Sequence, residues 1–228
     1  MKITSKDNKK IKELNKLKNS GVPSSFLING FDMVNLAYSK GLLLESYSLK
    51  DNDFDNNILV TEEIMDKLSF HKGNDVVGVT RLEINNLYGD KIVYLDEISD
   101  PYNLGLIILL AAQYRYKDII LSNKCTSIFN FKCLDECKNN IFDINFHFNG
   151  NEIIKDLKNE YQIISTGLKS SVLLKDVLPV SKKHIIVFGN EAHGVSDYIF
   201  SLSNDIIRID IKNIDSLNVA ICAGIVLN

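Results

Sequence analysis

No apolar run in the sequence approaches the roughly 20 residues that a membrane-spanning helix requires. The Lys- and Asn-rich start also lacks the apolar core of a secretory signal. A soluble, cytoplasmic protein without a membrane partner is therefore expected. Cysteine is scarce: Cys125, Cys133, Cys137 and Cys222 form no CxxC pair and have no nearby histidines to complete a zinc site. They read as reduced thiols, and no metal is expected. Positive charge is not in excess, since the formal net charge is −3, which excludes nucleic-acid binding through overall charge and leaves only a local basic patch. Neither the GxGxxG fingerprint nor a P-loop is present, so a phosphate cradle of those kinds is excluded. There is no internal repeat and no low-complexity segment. His71, His147, His184 and His193 are scattered; only His193 falls in a loop of interest, where a solvent-facing turn residue is the plain reading.

What is present is the composition of a folded protein, with 45% apolar and 24% charged residues over 228 positions. That length holds one large core or two small domains. The first twenty residues carry seven lysines against Asp7 and Glu13. Ile11, Leu14 and Leu17 give the stretch from Lys2 to Lys18 a narrow apolar stripe, as in a helix. It reads equally as a solvated surface helix and as a phosphate-contacting arm.

Short alternations follow. Phe26 to Ile28, Leu42 to Leu49, Ile58 to Val60 and Val76 to Thr80 read as strands, with helices from about Asp32 to Ser39 and after Thr61, a capping hydroxyl followed by Glu62 and Glu63. Residues 83 to 91, ending in Tyr88-Gly89-Asp90, form a polar connection, so the domains are placed at 1–84 and 90–228. Beyond it, Ile92 to Leu95, Ile119 to Leu121, Tyr161 to Ile164, Ile185 to Phe188 and Ile206 to Ile209 are apolar strands. Helices Leu104 to Tyr116 and Glu152 to Asn159 lie between them. This pattern predicts an α/β fold with a mostly parallel sheet covered on both faces.

Two stretches carry chemistry. In Ile185-Ile186-Val187-Phe188-Gly189-Asn190-Glu191-Ala192-His193-Gly194-Val195-Ser196 a buried strand runs into a loop with two glycines, which allow close backbone approach or φ > 0. The same residues fit an ordinary turn, with Ser196 and Asp197 capping the next helix. In Asp215-Ser216-Leu217-Asn218-Val219-Ala220-Ile221-Cys222-Ala223-Gly224-Ile225-Val226-Leu227, Ser216 is a plausible N-cap for a helix of small and apolar residues. Asn218, an amide among apolar neighbours, needs either structural hydrogen bonds or a ligand.

Together these stretches resemble the SpoU (TrmH-type) family of RNA ribose 2′-O-methyltransferases in the SPOUT superfamily, whose second and third motifs are G-N-E-x-x-G and S-L-N-V. Asp100-Pro101-Tyr102-Asn103-Leu104-Gly105 matches the family's D-P-x-N-x-G, and Phe26-Leu27-Ile28-Asn29-Gly30 looks like its F-L-I-E-G. The resemblance implies a knotted α/β methyltransferase domain with a parallel sheet, preceded by a small α/β RNA-recognition domain. It also implies a homodimer, S-adenosylmethionine as cofactor, and transfer or ribosomal RNA as substrate. By carry-over, Gly189, Asn190, Glu191 and Gly194 line the cofactor loop, with Thr166 and Gly167 in a second turn. Ile209 and Ile211 pack on the adenine, and Ser216, Leu217 and Asn218 border the pocket. Asn103 and Glu191 are the candidates to position the ribose or its proton, because a ribose hydroxyl is a poor nucleophile until its proton is drawn off.

The match fails at one functional position. The family's I-x-R-T-A supplies an arginine assigned to the active site, and the aligned residue is Leu109. Arg115, six residues on, would point elsewhere on a helix. Asn29 replaces the glutamate of F-L-I-E-G, Asp210 replaces a proline, Gly21-Val22-Pro23-Ser24-Ser25 replaces a basic stretch, and Cys137-Lys138-Asn139-Asn140 replaces a small turn. The alternative to an active enzyme is thus a catalytically inactive RNA-binding or assembly protein on the same fold.

Overall fold

The computed structural model describes every residue except 1, 87, 169, 171, 178–180 and 212–215, and the side chain of residue 19. In chain order the elements begin with strand β1 (Lys2–Ile3), helix α1 (Lys9–Ser20), β2 (Phe26–Asn29), α2 (Phe31–Ser39), β3 (Leu43–Ser48), β4 (Asn57–Val60), α3 (Glu62–Leu68) and β5 (Val76–Thr80). There follow β6 (Lys91–Asp96), α4 (Pro101–Gln113), β7 (Asp118–Leu121), α5 (Phe131–Cys137) with a 3₁₀ turn over Lys138–Phe142, and β8 (Asn145–His147). The remainder comprises α6 (Gly150–Leu157), β9 (Gln162–Thr166), β10 (Val172–Leu173), β11 (His184–Gly189), α7 (Asp197–Leu202), β12 (Asp205–Arg208) and α8 (Val219–Val226). Two compact units result: Met1–Glu83 with Ser127–Phe142, and Ile84–Thr126 with Asp143–Asn228.

The first unit holds a mixed sheet in the order β1-β4-β3-β5-β2. Helices α1 and α3 supply Ile11, Leu14, Ile64, Met65 and Leu68 to its core, against Leu27, Tyr47 and Val77. The apolar stripe of α1 is therefore core, as the spacing of Ile11 and Leu14 implies. Two local expectations are corrected. Lys2 and Ile3 are not helical; they pair in parallel with Leu59 and Val60 of β4, and the Asn8 carboxamide caps α1 by accepting from the Lys10 N–H. Thr61 does precede α3, but its hydroxyl makes no cap bond and is buried without a partner.

The second unit holds an all-parallel sheet in the order β10-β12-β9-β11-β6-β7-β8. Central parallel strands are covered on both faces, so they read as continuous apolar runs rather than alternations. All six residues of β11 are buried, and Ile185 and Val187 pack with Ile92, Tyr94, Ile120, Ile163 and Ile199. At the entrance to β7 the Asp118 carboxylate accepts from His147 Nε2 at 2.8 Å, Asn145 Nδ2 at 2.9 Å and the Gly89 N–H at 3.0 Å. Burial alone would raise the Asp118 pKa, but these hydrogen bonds and the His147 ring outweigh it and hold it below its ordinary value.

Residues 127–142, which the sequence reading leaves inside the second domain, pack in the first unit. Among the described residues no helix is long and apolar enough to cross a membrane.

Candidate active site

Because β12, β9, β11 and β6 are adjacent and parallel, their carboxyl ends lie along one edge of the sheet. In open α/β sheets the crevice beyond such ends is where ligands bind. Thr166 ends β9 and Gly167 follows it, Gly189 ends β11 and Asn190 follows it, and Arg208 ends β12 and Ile209 follows it. The ends are stitched together: Thr166 Oγ1 donates to the Val187 carbonyl at 3.0 Å, and the Gly167 N–H donates to the Ile207 carbonyl at 2.8 Å.

The loop after β11 closes on itself through reciprocal backbone bonds between Asn190 and Gly194, of 3.0 and 2.8 Å. Gly194 has φ 73°, and a side chain there would project into open space. At Gly189 a Cβ would lie 2.2 Å from the Gly194 backbone, so only glycine lets the loop close. Asn190 braces the loop from inside. Its Nδ2 donates to the Glu97 carbonyl at 2.7 Å, and its Oδ1 accepts from the N–H groups of Ala192 and His193. His193 is exposed, as expected of a turn residue.

Glu191 reaches from this loop to the start of α4. Its carboxylate accepts from the Ser99 N–H at 3.1 Å, Ser99 Oγ at 2.8 Å, the Asp100 N–H at 3.2 Å and Asn103 Nδ2 at 3.1 Å. Burial pushes the Glu191 pKa up, but the bonds from Asn103 and Ser99 outweigh it, and the group is held below its ordinary value. An anion with its lone pairs occupied is a poor proton acceptor near neutrality. In this arrangement the carboxylate is tied to Ser99, Asp100 and Asn103.

Asn103, buried at 5% exposure, is the hub. Its Oδ1 accepts from Asn218 Nδ2 at 2.9 Å while its Nδ2 serves Glu191. Asn218 Oδ1 in turn accepts from the Ala220 and Ile221 N–H groups and caps α8. Asn218, not Ser216, is thus the N-cap, and its need for partners is met by structure on both sides. Asp100 caps α4 by accepting from the Tyr102 N–H at 2.9 Å, with Pro101 at the first helical position.

Three of the predicted residues, Asn103, Glu191 and Asn218, are joined directly. Thr166, Gly167, Gly189, Asn190 and Gly194 share the strand-end edge with Ile209, while half-buried Ile211 lies two residues further on. Ser216 is exposed and Leu217 half-buried just before α8. Sequence reasoning missed Ser99, Asp96 and Glu97. Ser99 anchors Glu191 twice, Asp96 accepts from the Ser196 N–H at 2.7 Å, and Glu97 sits at φ 59°. Adjacency to Asp100-Pro101 could have flagged Ser99; nothing in the sequence signals a glutamate in left-handed backbone. Leu109 lies half-buried on α4. Arg115 lies beyond the C-cap of that helix, at φ 64°, and is exposed.

The model of the SpoU rRNA methylase family matches residues 90–228. The chain belongs to that family. The chemistry of the family is methyl transfer from S-adenosylmethionine to RNA. An uncharacterized tRNA/rRNA methyltransferase of Borreliella burgdorferi is 32% identical over 145 residues, covering 60% of this chain and 61% of that protein. The 23S rRNA (guanosine(2553)-2′-O)-methyltransferase RlmP of Bacillus subtilis is 24% identical over 241 residues, covering 99% and 97%. An rRNA methyltransferase from Sinorhizobium meliloti, solved with AdoMet bound, shares the fold at a TM-score of 0.88 and 23% identity, over 100% of this chain and 95% of that one.

The chain's own residues fit such a cofactor. The strand-end loops offer backbone N–H and C=O groups, and half-buried Ile209 directly follows β12. The open space above Gly194 leaves room for a ligand against the backbone, and an ionised carboxylate, Glu191, is compatible with a nearby sulfonium.

Proposed function

We propose that this protein is a cytoplasmic RNA ribose 2′-O-methyltransferase that acts on ribosomal or transfer RNA as a homodimer. In this reading the loops at Thr166–Gly167 and Gly189–Gly194, with Ile209, Ile211 and Ser216–Asn218, hold S-adenosylmethionine in a knotted second domain, and the first domain carries RNA. The observation that carries it is the Asn218–Asn103–Glu191 chain of hydrogen bonds, which locks the cap of α8, the start of α4 and the β11 loop into one arrangement beside the strand ends.

The cofactor supplies an electrophilic methyl on a sulfonium. The chain supplies alignment, which for an in-line displacement provides much of the acceleration. Asn103 has one N–H committed to Glu191 and a second, with a remaining lone pair on Oδ1, able to orient a ribose hydroxyl. Glu191 keeps that carboxamide from rotating. The dimer reading rests on α8 and α4. Helix α8 is apolar nearly all round, yet Ile221 and Ile225 are 57% and 43% exposed, and Tyr102 on the adjoining α4 is 50% exposed. A second copy would cover this face.

A second reading, a noncatalytic RNA-binding protein, is favoured by Leu109 alone. Tritiated methyl incorporation into total tRNA and rRNA separates the two. Our reading expects transfer by the natural chain, changed less than a few-fold in Leu109→Arg. Transfer absent in the natural chain and gained in the variant would favour the noncatalytic one.

A further inference from the structure

A cavity of about 290 Å³ opens in the first unit, between the first turn of α2, the stretch Phe70 to Asn74, and the end of α5 with its following 3₁₀ turn. It is at the small end of ligand pockets, the size for one ring system. Phe31 stands at its mouth with 60% of its surface exposed, its ring 5.7 Å from that of Phe54. Phe70, also in the lining, packs on Phe131 with ring centroids 5.7 Å apart. Exposed aromatic surface at a pocket mouth is a platform for a stacked ring.

The polar lining is preset. Asn29 Oδ1 accepts from Ser69 Oγ at 2.8 Å, the Phe70 N–H at 2.7 Å and Asn74 Nδ2 at 3.4 Å, which fixes the orientation of both amides. The Nδ2 of Asn29 is buried with no partner. Gly30, at φ 85°, turns the chain into α2 with no side-chain cap on that helix. Lys138, the C-cap of α5, takes φ 47°, a conformation unusual for a long side chain and one that strained residues at functional sites adopt. Asp32 also lines the cavity, as does Asp135, which pairs with His71 Nε2 at 2.8 Å. Carboxylates disfavour a bare phosphate, but they accept the N–H groups on a base edge.

We infer that this cavity takes an unpaired nucleobase of the substrate RNA, stacked on Phe31 and read along its edge by Asn74 and the Asp32 and Asp135 carboxylates. Lys138 is then placed for the adjoining phosphate. The inference rests on the RNA-methyltransferase reading and adds to it a specific substrate contact remote in sequence from the methyl-transfer motifs.

Methionine-methyl NMR on the full chain tests it, because Met33 lines the cavity and Met65 lies in the core of the same unit. A single-stranded hexaribonucleotide of mixed sequence should shift the Met33 methyl saturably and leave Met65 in place. Phe31→Ala and Lys138→Gly, both tolerated by their backbone settings, should weaken that binding, the former by roughly 5- to 100-fold. S-adenosylmethionine binding, read on the same samples, should not change. A chain that binds the cofactor but shows no Met33 shift, or whose Phe31→Ala variant binds RNA as tightly as the natural chain, overturns the inference. A Met33 shift lost in both variants, in a chain that binds no cofactor, upholds the cavity and sinks the methyl-transfer reading.

Discussion

At the scale of single residues, the site is organised by two amides and a carboxylate whose hydrogen-bonding capacity is mostly spent on one another. Glu191 accepts four bonds from the start of α4, two of them from Ser99. Glu191→Gln keeps the shape but replaces one acceptor oxygen by a donor facing other donors. A charge-assisted bond is worth about 1.5–3 kcal/mol, so turnover should fall roughly 10- to 100-fold, as steady-state kinetics would show. The sign of the pH effect follows from the lowered native pKa. The tether contributes fully above the ordinary carboxylate value of 4.5 and is lost as pH falls through the lowered one, so this group leaves activity flat near neutrality. An activity step near pH 7 that disappears in the glutamine variant would show Glu191 to be a base after all.

At the scale of elements, the strands of the second unit were legible because buried parallel strands are runs of Ile, Val and Phe, as in Ile185 to Phe188. Helix α4 was legible from Asp100-Pro101, a cap and a first-turn proline. What escaped had weak local signals. Strand β8 is three residues with Asn145 and His147 in it, held by the buried Asp118 rather than by propensity. Strand β1 exists only because β4 offers a partner. Helix α5, with two buried cysteines, joins the first unit from the middle of the second, which no composition shift marks. The lysines from Lys2 to Lys18 read as a possible RNA arm, yet Lys6, Lys10 and Lys12 pair with Glu63, Glu45 and Asp7, and Lys18 donates to the Ser69 carbonyl. Much of that positive charge is answered within the first unit, which favours the surface-helix alternative. Helix α8 has the opposite character, leaving Ile221 and Ile225 exposed. If a second copy covers them, Ile221→Asp buries an uncompensated charge costing about 3 kcal/mol or more, and self-association should weaken at least roughly 100-fold in sedimentation equilibrium. Equal association of variant and natural chain would remove α8 from the interface.

At the scale of the whole molecule, the family and its motifs were readable from Gly189 to Gly194, Ser216 to Asn218 and Asp100 to Gly105. The hydrogen bonds that join those segments were not, because they form between residues about ninety to a hundred and fifteen apart in the chain. The parallel sheet brings them together, and its strand order decides which turns share an edge. The account stands on that edge being a binding site for S-adenosylmethionine. Calorimetric titration of the purified chain tests this most directly. The account predicts saturable binding with one site per chain, abolished by Gly189→Val, whose side chain would meet the Gly194 backbone. A folded protein that gives no binding heat across a range of temperatures, or a valine variant that binds as well as the natural chain, would contradict it.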